Sequence, residues 1–177
     1  MVGANDSKRN EALLECLSSL PRKIIAIHEL DNLPEFILHD ICSETCFNLH
    51  KAAYFVDNPD FNTCKGVAGF CRHEACDVHN QLWQDPASFS AFMQESPFNK
   101  QVRAMLLESV VRNKLMHEDV VNRIAQQLGF MHPAWCTWHL KHFNDGLIVY
   151  EKADLDDTAV DQHFLNTLHL LGFCAIR

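Results

Sequence analysis

Apolar positions along this chain recur with a helical period over most of its length and as short unbroken runs elsewhere. Leu13, Cys16, Leu17 and Leu20 share one helical face, which predicts a first helix from about Asp6 to Leu20 with Pro21 as its stop. Cys16 falls on that apolar stripe and reads as a small core hydrophobe. The run Ile24, Ile25 and Ile27 reads as a short strand. Asp31 or Asn32 caps a second helix, with Pro34 in its first turn and Phe36, Ile37 and Ile41 as its core face. Residues 47–56 suit strand or helix equally, and the turn formed by Asp57, Asn58, Pro59 and Asp60 ends them in either case.

Residues 61–79 contain Gly66 and Gly69 and show no clean period, so they read as a loop. Short helical pieces follow between Asn80 and Pro97. Val102, Met105, Leu106 and Val110 mark an amphipathic helix reaching about Leu115. Val120, Val121, Ile124, Ala125 and Leu128 mark another, closed by Gly129. A short helix starts at Pro133, and residues 146–151 read as a strand. Asp157 or Thr158 caps a last helix with the face Val160, Phe164, Leu168 and Leu171, stopped by Gly172, after which Phe173 to Ile176 close a sheet edge. The sum is an α+β, helix-dominated single domain spanning residues 1–177, with a small sheet of three or four strands.

Composition narrows the function classes. A formal charge of −8 argues against a nucleic-acid backbone or an anionic membrane surface as the main partner, since both demand a basic face. No stretch approaches the length of a membrane span, and Met1 to Asn10 lacks the apolar core of a secretory signal. The expected setting is the cytoplasm. Eight cysteines in 177 residues fall short of a disulfide scaffold and read as free thiols, metal ligands or catalytic groups.

Candidate chemistry concentrates in residues 39–79. His39, Cys42, Cys46, His50, Cys64, Cys71, His73, Cys76 and His79 lie there, nearly half of all the cysteines and histidines. Thiolate and imidazole are the ligands that zinc and iron favour. If residues 35–50 form one helix, His39, Cys42, Cys46 and His50 fall on one stripe. Its ends are about 16 Å apart, so one ion takes only an adjacent pair and the rest must come from the following loop. Cys42, Cys46, Cys71, Cys76 and His79 are therefore the expected ligands of a zinc or iron site, structural or open to a small molecule.

Two further readings compete. A cysteine-dependent redox or transferase enzyme would use Cys64, beside Lys65, or Cys71, with His73 or His79 as base. A regulatory or interaction module would use none of this chemistry. A helix from Pro133 would carry Cys136, His139 and His142 beside Trp135 and Trp138, whose rings could wall a small-molecule pocket, with exposed aromatics nearby suiting a homodimer. His117, Glu118 and Asp119 read as an ordinary acidic helix start, as do Asp154, Asp156 and Asp157. The chain has no phosphate-binding glycine loop, dinucleotide fingerprint, nucleophile elbow, metalloprotease helix or Cys-x-x-Cys knuckle. The residues thus point to a class of ligand and name no substrate.

Overall fold

A computed structural model describes residues 3–74, 84–153 and 162–174. Five antiparallel strands form one sheet in the order β3-β2-β1-β5-β4. They are β1 (Leu49–Asn58), β2 (Thr63–Cys71), β3 (Leu106–Leu107), β4 (Ala134–His139) and β5 (Asp145–Lys152). The α+β class therefore holds, with five strands in place of the three or four expected. Central β1 and β5 are buried along nearly their whole length, because helices cover both faces of the sheet.

The first face packs against α1 (Gly3–Ile27), α2 (Leu33–Cys42), α3 (Pro86–Glu95) and α7 (Gln162–Leu168). Its core joins Ile24, Phe36, Ile37, Ile41, Phe89 and Phe164 to Tyr54, Phe70, Trp138 and Tyr150 of the strands. The second face packs against α4 (Pro97–Ala104), α5 (Val110–Asn113) and α6 (His117–Leu128), with Val102, Ile124 and Leu128 over Phe55, Leu147 and Val149. Strand side chains alternate between the faces, so each helical layer receives every second residue. No helix among the described residues is long and apolar enough to cross a membrane.

Local chemistry explains most boundaries. Pro34 stands in the first turn of α2 behind Asn32, as expected. Asp85 accepts from the Ser88 N–H at 3.2 Å and caps α3, and the Ser96 hydroxyl accepts from the Asn99 N–H at 3.2 Å and caps α4. Gly129 takes φ 67° at the C-terminus of α6, the left-handed conformation that favours glycine.

Several expected elements come out differently. The first helix passes through Pro21 to Ile27, so the predicted strand at Ile24–Ile27 is its last turn. α2 ends at Cys42, where the Ser43 N–H turns back to the Asp40 carbonyl, and residues 49–58 become strand β1. The glycine-bearing stretch expected as a loop is strand β2. The helix expected to reach Leu115 stops at Ala104, because the Met105 carbonyl accepts from the Gly66 N–H at 3.0 Å and Leu106–Leu107 join the sheet edge. Residues 134–139 form β4 in place of a helix. Asp157, Thr158, Val160 and Ile176 lie outside the described residues. Phe164, Leu168 and Leu171 are buried as expected.

Candidate functional site

Of the expected ligands, the structure describes Cys42, Cys46 and Cys71. Cys42 is buried at the end of α2, and Cys46 is buried in the turn that follows. Cys71 ends β2 and packs toward the second face of the sheet. Cys76 and His79 lie outside the described residues. Among the described residues no group of three or more His, Cys, Asp or Glu side chains could hold a metal ion, which overturns the zinc or iron reading. The physical reason is the early end of α2: the stripe from His39 to His50 needs one continuous helix, and the chain instead turns and enters β1.

The thiols differ in their surroundings. Burial pushes the Cys42 thiol well up, with Arg72 opposing. Burial also raises Cys64 to about 12, and Asp57 adds to that, the opposite of an activated nucleophile. His39 Nδ1 sits 3.0 Å from Asp40 Oδ1, while Lys23 donates to Asp40 Oδ2 at 2.7 Å. His50 and His73 meet edge to face at 4.3 Å, and His50 Nδ1 lies 4.0 Å from the buried Glu151. Desolvation lowers the His50 pKa, helped by His73 and opposed by Glu151.

The two tryptophans share a strand and not a pocket. Trp138 points to the first face, stacks on Tyr54 at 5.6 Å and lies over Gly146. Trp135 points to the second face and stacks on His117 at 5.3 Å.

The convergent polar groups lie elsewhere, in a cleft of about 510 Å³ between the start of α2, α3 and α4. Glu35 lines it and is only 1% exposed. Its Oε1 accepts from Arg103 Nη1 at 2.9 Å and from Asn99 Nδ2 at 3.4 Å. Among the described residues its buried Oε2 has no hydrogen-bond partner, and neither has Asn32 Nδ2, also in the cleft lining. Burial pushes the Glu35 carboxyl above its ordinary value, against the pull of its own backbone N–H first and then of Arg103 and Asn99.

Fixed neighbours hold this geometry. Strand β3 covers only Cys64 and Lys65 of the β2 edge, and farther along Asn99 Oδ1 accepts the Gly69 N–H at 2.8 Å. Asn99 Nδ2 also donates to the Met93 carbonyl at 2.9 Å, so its amide is locked between β2 and α3. Glu74 takes the Ser96 hydroxyl at 2.6 Å and the Phe98 N–H at 3.2 Å, which seats the N-terminus of α4. The Ser90 hydroxyl donates to Asn32 Oδ1 at 3.1 Å and orients that amide. Arg103 at the rim is about half exposed.

None of these residues stood out in the sequence, because Glu35 meets Asn99 and Arg103 across 64 and 68 positions. One signal was present: Glu35 sits inside the otherwise apolar run Leu33 to Leu38. A helix apolar on all sides is buried on all sides, so a carboxylate within it must find partners. Compared with known proteins, the chain matches no protein family, no curated protein and no solved structure at a significant level.

Proposed function

We propose that this chain binds a small polar molecule in the Glu35 cleft, through recognition rather than turnover. The observation that carries the reading is the pair of buried, unpartnered atoms: an acceptor, Glu35 Oε2, and a donor, Asn32 Nδ2. Each costs about 1–3 kcal/mol while unpaired. A ligand that carries both an N–H and a carbonyl, as an amide or a ureide does, offers a partner to each kind of atom. The cleft volume suits such a ligand. The Ser90 hydroxyl is already engaged with Asn32 and with the Pro86 carbonyl, so the lining offers recognition groups more than a nucleophile.

The test is a thermal-shift titration with acetamide, methylurea, hydantoin and uracil on wild type and Glu35→Gln. Binding to the folded state raises the melting temperature, by an amount that grows with the logarithm of ligand concentration over Kd. A rise in wild type that is lost in Glu35→Gln supports the reading. No rise with any probe, or an equal rise in both proteins, sinks it. A rise that survives Glu35→Gln but disappears in Trp138→Phe would move the ligand to the sheet face, where Tyr54 Oη and Trp138 Nε1 are also buried without partners.

The formal charge of −8 supports a partner set without nucleic acid, and seven free cysteines among the described residues support a reducing, cytoplasmic setting. A homodimer draws support from the largely exposed Met131 and Phe143, and sedimentation velocity reads it directly.

A further inference from the structure

The pair between Glu35 and Arg103 uses one arm of the guanidinium. Nη1 donates to Glu35 Oε1 at 2.9 Å, while Oε2 takes no share. Paired arginine and carboxylate groups commonly meet through two parallel bonds, so half of this fork is unspent. Among the described residues it is the one hydrogen bond that Arg103 makes. Arg103 lines the cleft from α4 and is about half exposed. Lys100, three residues earlier on the same helical face, lines it too. Like charges at that spacing repel. Glu95 holds the Lys100 ammonium at 2.7 Å, but the two side chains are 54% and 82% exposed, so the pair is weak and readily exchanged. The α4 wall therefore brings two cations with open hydrogen-bonding capacity to the cleft that holds Glu35 Oε2 and Asn32 Nδ2.

We propose that the ligand of this cleft is a carboxylic acid bearing an amide or ureido group, its carboxylate held between Arg103 and Lys100. The proposal rests on the reading of the cleft as a small-molecule site and names the class of molecule it takes. The amide end serves the buried atoms Glu35 Oε2 and Asn32 Nδ2, where uncharged N–H and carbonyl groups lose water more cheaply than a charge does. The carboxylate stays by the half-exposed Arg103, whose planar fork matches two oxygens. Lys100 adds a point charge with no fixed geometry. Asp31 and Glu35 share the lining, so one negative charge suits it better than the double charge of a phosphate ester.

Isothermal titration calorimetry on the full chain compares N-carbamoylglycine with its methyl ester, which keeps the carbamoyl end and lacks the charge. The acid should bind wild type about tenfold more tightly than the ester, as a charge-assisted pair implies. Lys100→Gln should cut that preference to about threefold and leave the affinity for the ester unchanged. Arg103→Lys keeps a charge beside Glu35 and removes the fork, and it should cut the preference as well. Lys100 is more than half exposed, so Lys100→Gln folds and the test does not depend on Arg103→Lys alone. An ester that binds as tightly as the acid, with both lost in Glu35→Gln, overturns the carboxylate assignment and leaves the cleft reading standing. A preference for the acid that survives both Lys100→Gln and Arg103→Lys also overturns it. Binding of neither probe overturns the proposal, and the neutral probes of the thermal-shift titration then decide the cleft reading separately.

Discussion

Replacing Glu35 by Gln separates what this residue does for binding from what it does for stability. As a carboxylate, Glu35 is held in the protein interior against its own solvation, and its ion pair with the half-exposed Arg103 recovers only part of that cost. Gln keeps an oxygen for Arg103 and removes the buried charge, while putting an amide nitrogen where Oε2 was. Stability at pH 7 should therefore change by less than about 1 kcal/mol, as read by urea denaturation. A loss of several kcal/mol would make Glu35 a structural anchor and not a recognition group. The cysteines make a related point at the same scale. Cys16 reads as core from its apolar spacing, and its neighbours Leu20 and Ile24 are buried, yet Cys16 itself is only partly covered. Spacing assigns a face; it does not assign the atom that arrives from another segment. The same limit hides Glu35, whose partners come from α4.

Elements were legible where one local rule acted without competition. α6 and its Gly129 end, the Pro34 start of α2 and the strand at residues 146–151 all follow from period and cap chemistry. The misreadings share a cause, because tertiary contacts overrode the local signal. Gly66 and Gly69 made β2 look like a loop, but they are there because α4 packs directly on the strand. A Cβ on Gly66 would stand 1.9 Å from the Val102 carbonyl oxygen. The Trp135–His139 segment looked helical because Trp135 and Trp138 are three apart, yet they serve the two faces of a sheet covered on both sides. Pro21 should end α1 and does not, since Leu20 and Ile24 on either side of it are buried. A proline inside a helix removes one backbone hydrogen bond and crowds the preceding turn. Pro21→Ala should thus stabilise the protein by about 2 kcal/mol, the helix gain less the greater freedom of the unfolded chain. The urea midpoint checks it, and a fall in stability would mean that the proline bends α1 onto α2 in a way the fold requires.

For the whole molecule, two groups with opposite pKa shifts shape stability against acid. Glu35 has a folded pKa above its ordinary 4.5, so in the window just above 4.5 the folded state holds more protons than the unfolded chain. Stability falls there as pH rises. His50 has a folded pKa below its ordinary 6.5, so below 6.5 the unfolded chain takes up the proton first. Its contribution is complete above 6.5 and is lost as pH falls through the window beneath it. The Glu35 term therefore acts just above 4.5 and the His50 term just below 6.5, with opposite slopes. Glu35→Gln should remove the fall in stability just above pH 4.5 and leave the histidine term in place. His50→Gln should remove the rise just below pH 6.5 and leave the carboxyl term in place. Chemical denaturation at half-unit pH intervals measures both slopes. If both variants keep the wild-type slope, neither group titrates with folding. That outcome would also remove the electrostatic case for Glu35 as a carboxyl kept in the interior for a ligand.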